Sequence, residues 1–452
     1  VPQHHPVDVS AFPPGFRWSA ATAAFQVEGA RTADGRGRSI WDDFVDQPGR
    51  VRGGATAEPG PESYRRHTED VALLARLGAD RYRFSISWVR VQPEPGGLAS
   101  QAGLDYYRRL ADDLLDAGVT PFPTLYHWDL PSALEERGGW LSRDTALRFA
   151  DYAEVVATAL GDRIHHWYTV NEPVSTSLQG YAVGTLAPAR QLLFGALPTV
   201  HHQLLAHGLA MRALREAGAV ECGIVNNHTL VLAASDAESD LAAAATYDML
   251  HNRIFADPVL TGTYPDLEAA GLPAMPVADG DLELISTRGD FYGVNFYNPT
   301  TIAAAPDGSP VPFTIEPTAG APVTGFGQEW PILPSALKAL LTDFAARYGD
   351  RLPPVIIGEN GASFPEPDHV DGALRDTERI AYLAGHIDAV GAAVNAGVDV
   401  REYTVWSLLD NFEWAEGWTQ RFGLVHVDFQ TSARTPKESF DWYRALIAEA
   451  RS

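Results

Sequence analysis

The feature that most constrains this chain is an alternation along its length between short β-prone apolar runs and longer stretches of helical period. Strand candidates are 16–29, 81–88, 120–128, 164–170, 221–228, 290–297, 354–358 and 401–409. Helix candidates between and after them are 62–77, 104–117, 143–160, 198–217, 334–348, 377–396 and 440–448. In 62–77, Val71, Leu73, Leu74 and Leu77 recur at near-helical spacing and Gly78 supplies a C-cap. Eight strands separated by helices predict an α/β fold: a single (β/α)8 barrel with elaborated βα loops around an active site at the strands' carboxyl ends. A chain of 452 residues has room for two or three average domains, but barrels with insertions reach this size as one unit, so the expected domain is 1–452. The small residues from Ser19 to Ala24 suit a crowded barrel interior. Residues 303–325, rich in Pro, Gly and Thr, predict an irregular loop over the barrel mouth, a lid or substrate-side wall. The Ala-rich 241–245 predicts plain helix.

Two strand ends carry the chemistry. Residues 164–170 run into Asn171-Glu172-Pro173, where Pro173 stops the ladder because it lacks an N–H. Residues 355–358 run into Glu359-Asn360-Gly361, with the glycine expected to make a tight turn. Two glutamates at strand mouths are the parts that glycosidic cleavage needs: one protonates the leaving oxygen and the other attacks the sugar carbon. Other polar or aromatic residues fall at the same ends: Gln26, His127, Asn171, Asn295, Tyr297 and Trp406. Eleven tryptophans exceed what a core of this size needs, and flat sugar faces stack on indole. Trp88 and Trp167 read equally well as core.

Composition removes other classes. With 34 basic and 58 acidic residues the net charge is −24, which argues against nucleic acid and anionic membranes as partners. No run approaches ~18 uninterrupted apolar residues, so no membrane helix is expected. A single cysteine, Cys222, allows no internal disulfide and reads as a buried small hydrophobe. Residues 1–5 do not read as a signal peptide, and a cytoplasmic location is the expectation. The chain lacks a Gly-rich dinucleotide fingerprint, a phosphate loop and a His-Glu-x-x-His motif, and the adjacent pairs His165-His166 and His201-His202 do not make a metal site; no cofactor and no metal are expected.

With these residues placed, the chain resembles glycoside hydrolase family one, the family of β-glucosidases, from Phe16 to the final helix. The resemblance is carried by 16–30 with Gln26 and Glu28, by 169–173, by 357–361, and by the closing segments 409–423, which holds Phe422, and 434–444. It implies that Glu359 is the nucleophile and Glu172 the general acid/base. It implies that Gln26, His127, Trp128, Asn171, Glu413 and Trp414 hold the sugar hydroxyls above a Trp406 floor. Arg83, Asn295 and Tyr297 would surround the nucleophile, and Trp330 and Phe422 would meet substrate. Two positions depart from the family pattern. Gly358 stands where a threonine is usual, which is expected to loosen the wall beside Glu359. The sequence Glu62-Ser63-Tyr64-Arg65 replaces Asp-His-Tyr-His, away from the chemistry.

A retaining mechanism needs the carboxyls about 5–5.5 Å apart. Arg83 is expected to lower the pKa of Glu359, and the charge of Glu359 to raise that of Glu172. The expected activity is hydrolysis of terminal β-D-glucosyl residues from aryl and alkyl β-glucosides and cello-oligosaccharides. Alternatives are a preference for galactosides or fucosides, a 6-phospho-β-glucosidase, an endo-acting glucanase of a related barrel family, and a non-catalytic sugar-binding protein. Glu413, which would repel a phosphate, and the absence of Lys from 409–423 argue against the phosphorylated sugar. The oligomeric state is left open, a homo-oligomer included.

Overall fold

A computed structural model describes residues 5–370, 372 and 374–452, so of the amino-terminal stretch 1–5 only His5 lies within the described residues. Eight parallel strands close into a barrel. They are β1 (Arg17–Ala21), β2 (Arg81–Ser85), β3 (Thr120–Tyr126), β4 (His166–Asn171), β5 (Glu221–Asn227), β6 (Tyr292–Asn295), β7 (Val355–Asn360) and β8 (Val400–Trp406). Each strand pairs with its sequence neighbour, and β1 closes the ring against β8 in a register running from Arg17 opposite Glu402 to Ala21 opposite Trp406. Helices Ser63–Leu77, Gln101–Asp116, Arg143–Leu160, Leu197–Glu216, Pro334–Tyr348, Thr377–Asn395 and Glu438–Glu449 stand in the predicted places. Gly78 caps the first of these at φ 77°, in the left-handed region that glycine enters freely.

Several strands end short of the predicted runs, β3 at Tyr126, β6 at Asn295 and β8 at Trp406 among them, and at β1 and β2 the chain turns into helix. β1 stops at Ala21, and Ala24–Val27 is a helical turn, so Gln26 sits on that turn and not on a strand end. β2 stops at Ser85, and Trp88–Val91 is another turn of helix. In both places the chain leaves the barrel rim and has no ladder to join. The stretch 303–325 is also more ordered than its composition predicts. Thr300–Ala304 pairs with Val231–Ala233 and Phe313–Glu316 in a small sheet, and Val323–Thr324 pairs with Gly327–Pro331. Residues 241–245 lie within the helix Glu238–Asp248, as predicted.

The barrel interior has three levels. At the amino-terminal end, Arg81 bridges Glu221 at 2.6 Å and Glu402 at 3.1 Å, and Ser19 donates to Glu402. Above them Phe122, Tyr168, Val225, Phe291 and Ile356 pack as an apolar plug. Arg83 lies over the Tyr168 ring, 4.6 Å from its centre, and begins the polar level that faces the mouth. Trp88, Trp167 and Cys222 are buried core. Among the described residues no helix is long and apolar enough to cross a membrane.

Candidate active site

Strict alternation along β7 would place Ile356 inward, Ile357 outward and Glu359 outward again. The strand does otherwise. Ile357 lies opposite Val294 and Glu359 opposite Asn295, so Gly358 is an extra residue against β6, and a matching shift occurs against β8. This bulge re-phases the strand. Ile356 joins the inner plug, Glu359 turns into the mouth, and Asn360 turns outward to Tyr382 on the surrounding helix, 3.2 Å away. β4 has the same device: Tyr168 lies opposite Gly223 but Asn171 opposite Val225. Glu172 follows at φ 46°, a left-handed conformation uncommon for a residue with a Cβ. Its N–H donates to the Val225 carbonyl at 2.9 Å.

Gly361 is required for a different reason than a turn. A Cβ there would lie 1.8 Å from the Trp406 carbonyl oxygen, so glycine permits the close approach of β7 and β8.

The two carboxylates have different partners. Glu359 Oε1 accepts from Arg83 Nη1 at 2.7 Å, and Oε2 accepts from the Tyr297 hydroxyl at 2.6 Å. Glu172 accepts only from neutral groups: Ser175 Oγ at 2.6 Å, Asn295 Nδ2 at 2.8 Å and Asn227 Nδ2 at 3.3 Å. Arg83 Nη2 also donates to Asn171 Oδ1 at 2.5 Å, and Asn295 Nδ2 reaches the same oxygen at 3.1 Å. Asn171 Nδ2 stands 3.2 Å from His127 Nε2. Burial and Arg83 hold His127 well below its usual pKa.

Burial raises Glu172 above the ordinary carboxylate range, against the pull of Ser175, Asn295 and Asn227. Glu359 is pushed up to about 7, first by burial and then by the Glu172 carboxylate, with Arg83 and Tyr297 opposing. Arg83 therefore acts in the expected direction without prevailing, and the rise at Glu172 comes chiefly from burial and not from the charge of Glu359. Glu413 is pushed up to about 8, first by burial and then by Glu359 and Glu172.

A cavity of about 430 Å³ opens over these groups. Of the residues named from sequence, His127, Trp128, Glu172, Tyr297, Trp330, Glu359, Trp406, Glu413, Trp414 and Phe422 line it. Gln26, Arg83, Asn171 and Asn295 stand behind that wall and are buried. Gln26 donates to Asn411 Oδ1 and to the Phe412 carbonyl, while its Oε1 and Glu413 Oε2 are buried without a partner among the described residues. Trp128 and Trp414 pack at 4.7 Å between ring centres, and His127 lies nearly parallel to Trp406 at 5.8 Å. On the opposite side Tyr297, Phe326, Trp330 and Phe422 form an aromatic wall in which Phe326 and Trp330 stack at 4.4 Å. Its Phe326 and Trp330 come from just beyond the stretch 303–325 predicted to flank the mouth.

Sequence reasoning missed Ser175, Asn227, Gln179 and Phe326. Ser175 was accessible, since a serine three residues after a glutamate that opens a helical turn faces back to it. Beside Gly358, Val225 and Asn295 occupy the space that a Cβ would take.

Asn and Glu at the mouths of β4 and β7, an arginine between them and an aromatic cavity above define a barrel glycosidase. The chain belongs to glycosyl hydrolase family 1, whose model matches residues 9–451. It is similar to beta-glucosidase A of Thermotoga maritima, 40% identical over 447 residues that cover 98% of each chain. It is 41% identical to the bifunctional beta-D-glucosidase/beta-D-fucosidase of Bifidobacterium breve, covering 97% of this chain and 98% of that one. The crystal structure of the psychrophilic beta-glucosidase BglU from Micrococcus antarcticus matches with a TM-score of 0.92, at 45% identity and 98% coverage of both chains.

Proposed function

We propose that this chain is a retaining β-glucosidase in which Glu359 is the nucleophile and Glu172 the general acid/base. The observation that carries the assignment is the difference in partners: Glu359 holds the guanidinium of Arg83, and Glu172 holds only neutral donors. When two buried carboxyls share a site, they titrate as a pair, and the charge resides on the member beside the cation. Burial raises both carboxyls, Glu359 to about 7, but of the two the one bonded to the guanidinium is favoured to hold the charge, which leaves the proton on Glu172. In the first step Glu359 attacks the anomeric carbon while Glu172 protonates the departing oxygen. Once Glu359 is esterified its charge is gone, and Glu172 takes a proton from the attacking water.

The glycone lies over Trp406, with Gln26, His127, Trp128, Glu413 and Trp414 at its hydroxyls. Trp330 and Phe422 meet the aglycone. Among the described residues no Lys or Arg lines the cavity, while Glu172, Glu329, Glu359, Glu413 and Glu416 do, which supports an unphosphorylated sugar. Substrates are small β-glucosides and cello-oligosaccharides. Incubation with a 2-deoxy-2-fluoro-β-glucoside bearing a good leaving group, followed by peptide mass spectrometry, is expected to find the sugar on Glu359. A label on any other residue contradicts the assignment.

A further inference from the structure

Gly358 is the extra residue of the β7 bulge, and it faces the barrel interior directly below Glu359. Its carbonyl accepts from Arg83 Nη1 at 2.8 Å, the same nitrogen that donates to Glu359. A Cβ on Gly358 would lie 2.8 Å from Val225 Cγ2 and 2.8 Å from Asn295 Oδ1, closer than real Cβ atoms come. Val225 belongs to β5 and reaches under β6 to arrive there. It crosses Gly293 on the way, where a Cβ would lie 2.5 Å from Val225 Cβ. One valine therefore fills space left by two glycines on two successive strands. Asn295 rests against this trio, its Oδ1 buried without a partner and its Nδ2 divided between Glu172 and Asn171.

Among the described residues Asn295 has no bond through Oδ1. Its Nδ2 bonds fix one end of the amide, and on the Oδ1 side its position is set by packing, with Val225 and the bare Gly358 beneath it. We infer that Gly358 and Val225 are a matched small–large pair that positions Asn295, and that through Asn295 they hold Glu172 in its acid/base geometry. Neither residue touches sugar; both are positioning residues, and the inference rests on the acid/base role proposed for Glu172.

The inference makes a signed prediction. Asn295 donates to a Glu172 oxygen, and a donor to a carboxylate favours its charged form. A side chain on Gly358 displaces Asn295, the donor is lost, and the pKa of Glu172 rises. The basic limb of the kcat/KM profile, which reports deprotonation of the acid in free enzyme, moves to higher pH. Shrinking Val225 clears one of the two close contacts, so that the new Cβ can shift away from Asn295 Oδ1 and the effect reverses.

The test is a double-mutant cycle of Gly358→Ala and Val225→Ala, with pH profiles on an alkyl β-glucoside and urea denaturation for each variant. Gly358→Ala is expected to lower kcat/KM on the order of 10–100-fold and to move the basic limb upward, a displaced catalytic contact being of that size. Val225→Ala with Gly358→Ala is expected to recover to within about fivefold of the parent, with the basic limb restored, because contacting residues are not additive. Additive losses, or an unmoved basic limb in Gly358→Ala, overturn the inference. If Gly358→Ala alone is insoluble, recovery of a folded double variant with the parental limb supports the pairing, and an insoluble double variant overturns it. Failure of the proposed function is separate: it would appear as full turnover by Glu359→Gln or Glu172→Gln, whatever Gly358 and Val225 do.

Discussion

Glu172 and Glu359 are the same residue type in one cavity, and their neighbours make them different. Arg83 and Tyr297 address Glu359; Ser175, Asn227 and Asn295 address Glu172. Tyr297 tests this division. Its hydroxyl stabilises the carboxylate form of Glu359, so Tyr297→Phe raises a pKa already near 7. A group that must be ionised then needs a higher pH to become so, and the acid limb of kcat/KM moves to higher pH. Loss of a hydrogen bond to a charged group, about 1.5–3 kcal/mol, corresponds to roughly 10–100-fold in kcat/KM at the optimum. An unchanged acid limb would contradict the contact's role. At this scale the sequence was informative wherever a motif names a residue, as with Glu172 and Glu359. It was mute where the partner comes from a distant strand, as with Asn227. The raised pKa of Glu413 was also not legible, because it follows from three carboxyls sharing a buried site, which no local pattern records.

At the scale of elements, the two catalytic strands work because they are irregular. A bulge in β4 and another in β7 turn Asn171 and Glu359 toward the mouth. Counting period-two alternation finds the strands but not these shifts, since a bulge is one residue long and leaves the apolar run intact. The end of β7 is pinned by Asn360, whose Nδ2 donates to the Phe296 carbonyl at 2.7 Å and whose Oδ1 accepts from the Tyr403 hydroxyl at 2.5 Å. Gly361 then passes under Trp406. Gly361→Ala drives a methyl into a backbone carbonyl that cannot yield without moving β8. The expected cost is about 1–3 kcal/mol or more, with Trp406 displaced from the cavity floor. Urea denaturation and KM for an aryl glucoside measure the two effects, and parental values for both would contradict the close approach.

At the scale of the whole molecule, the eight-fold rhythm was legible because each element is long and periodic. The small sheets around 300–331 were not, because their strands run two to five residues and pair across loops. Besides the buried Phe440, Tyr443, Leu446 and Ile447, an ionic cluster ties the start of the last helix to the barrel. Lys437 pairs with Asp410 at 2.8 Å and Glu366 at 2.6 Å. Arg421 also holds Asp410, and Arg379 holds Asp376 and Glu366. These acids come from the loops after β7 and β8, so the cluster buttresses the rim from which Glu359 and Glu413 project. Lys437→Met leaves two buried carboxyls short of a cation and is expected to cost about 3–5 kcal/mol. Thermal unfolding checks this, and an unchanged Tm would show that the cluster carries no net stability.

The central claim is the division of labour between the two glutamates, and azide reads it most directly. In Glu172→Ala a dinitrophenyl β-glucoside still loses its leaving group without a proton, and the glycosyl-enzyme accumulates for want of a base. Azide needs no base and attacks the face from which water would come. The account predicts that added azide restores turnover in Glu172→Ala and yields the β-glucosyl azide, whereas Glu359→Ala yields the α-anomer. NMR of the product decides between them. An α-azide from Glu172→Ala would mean that the two roles are reversed.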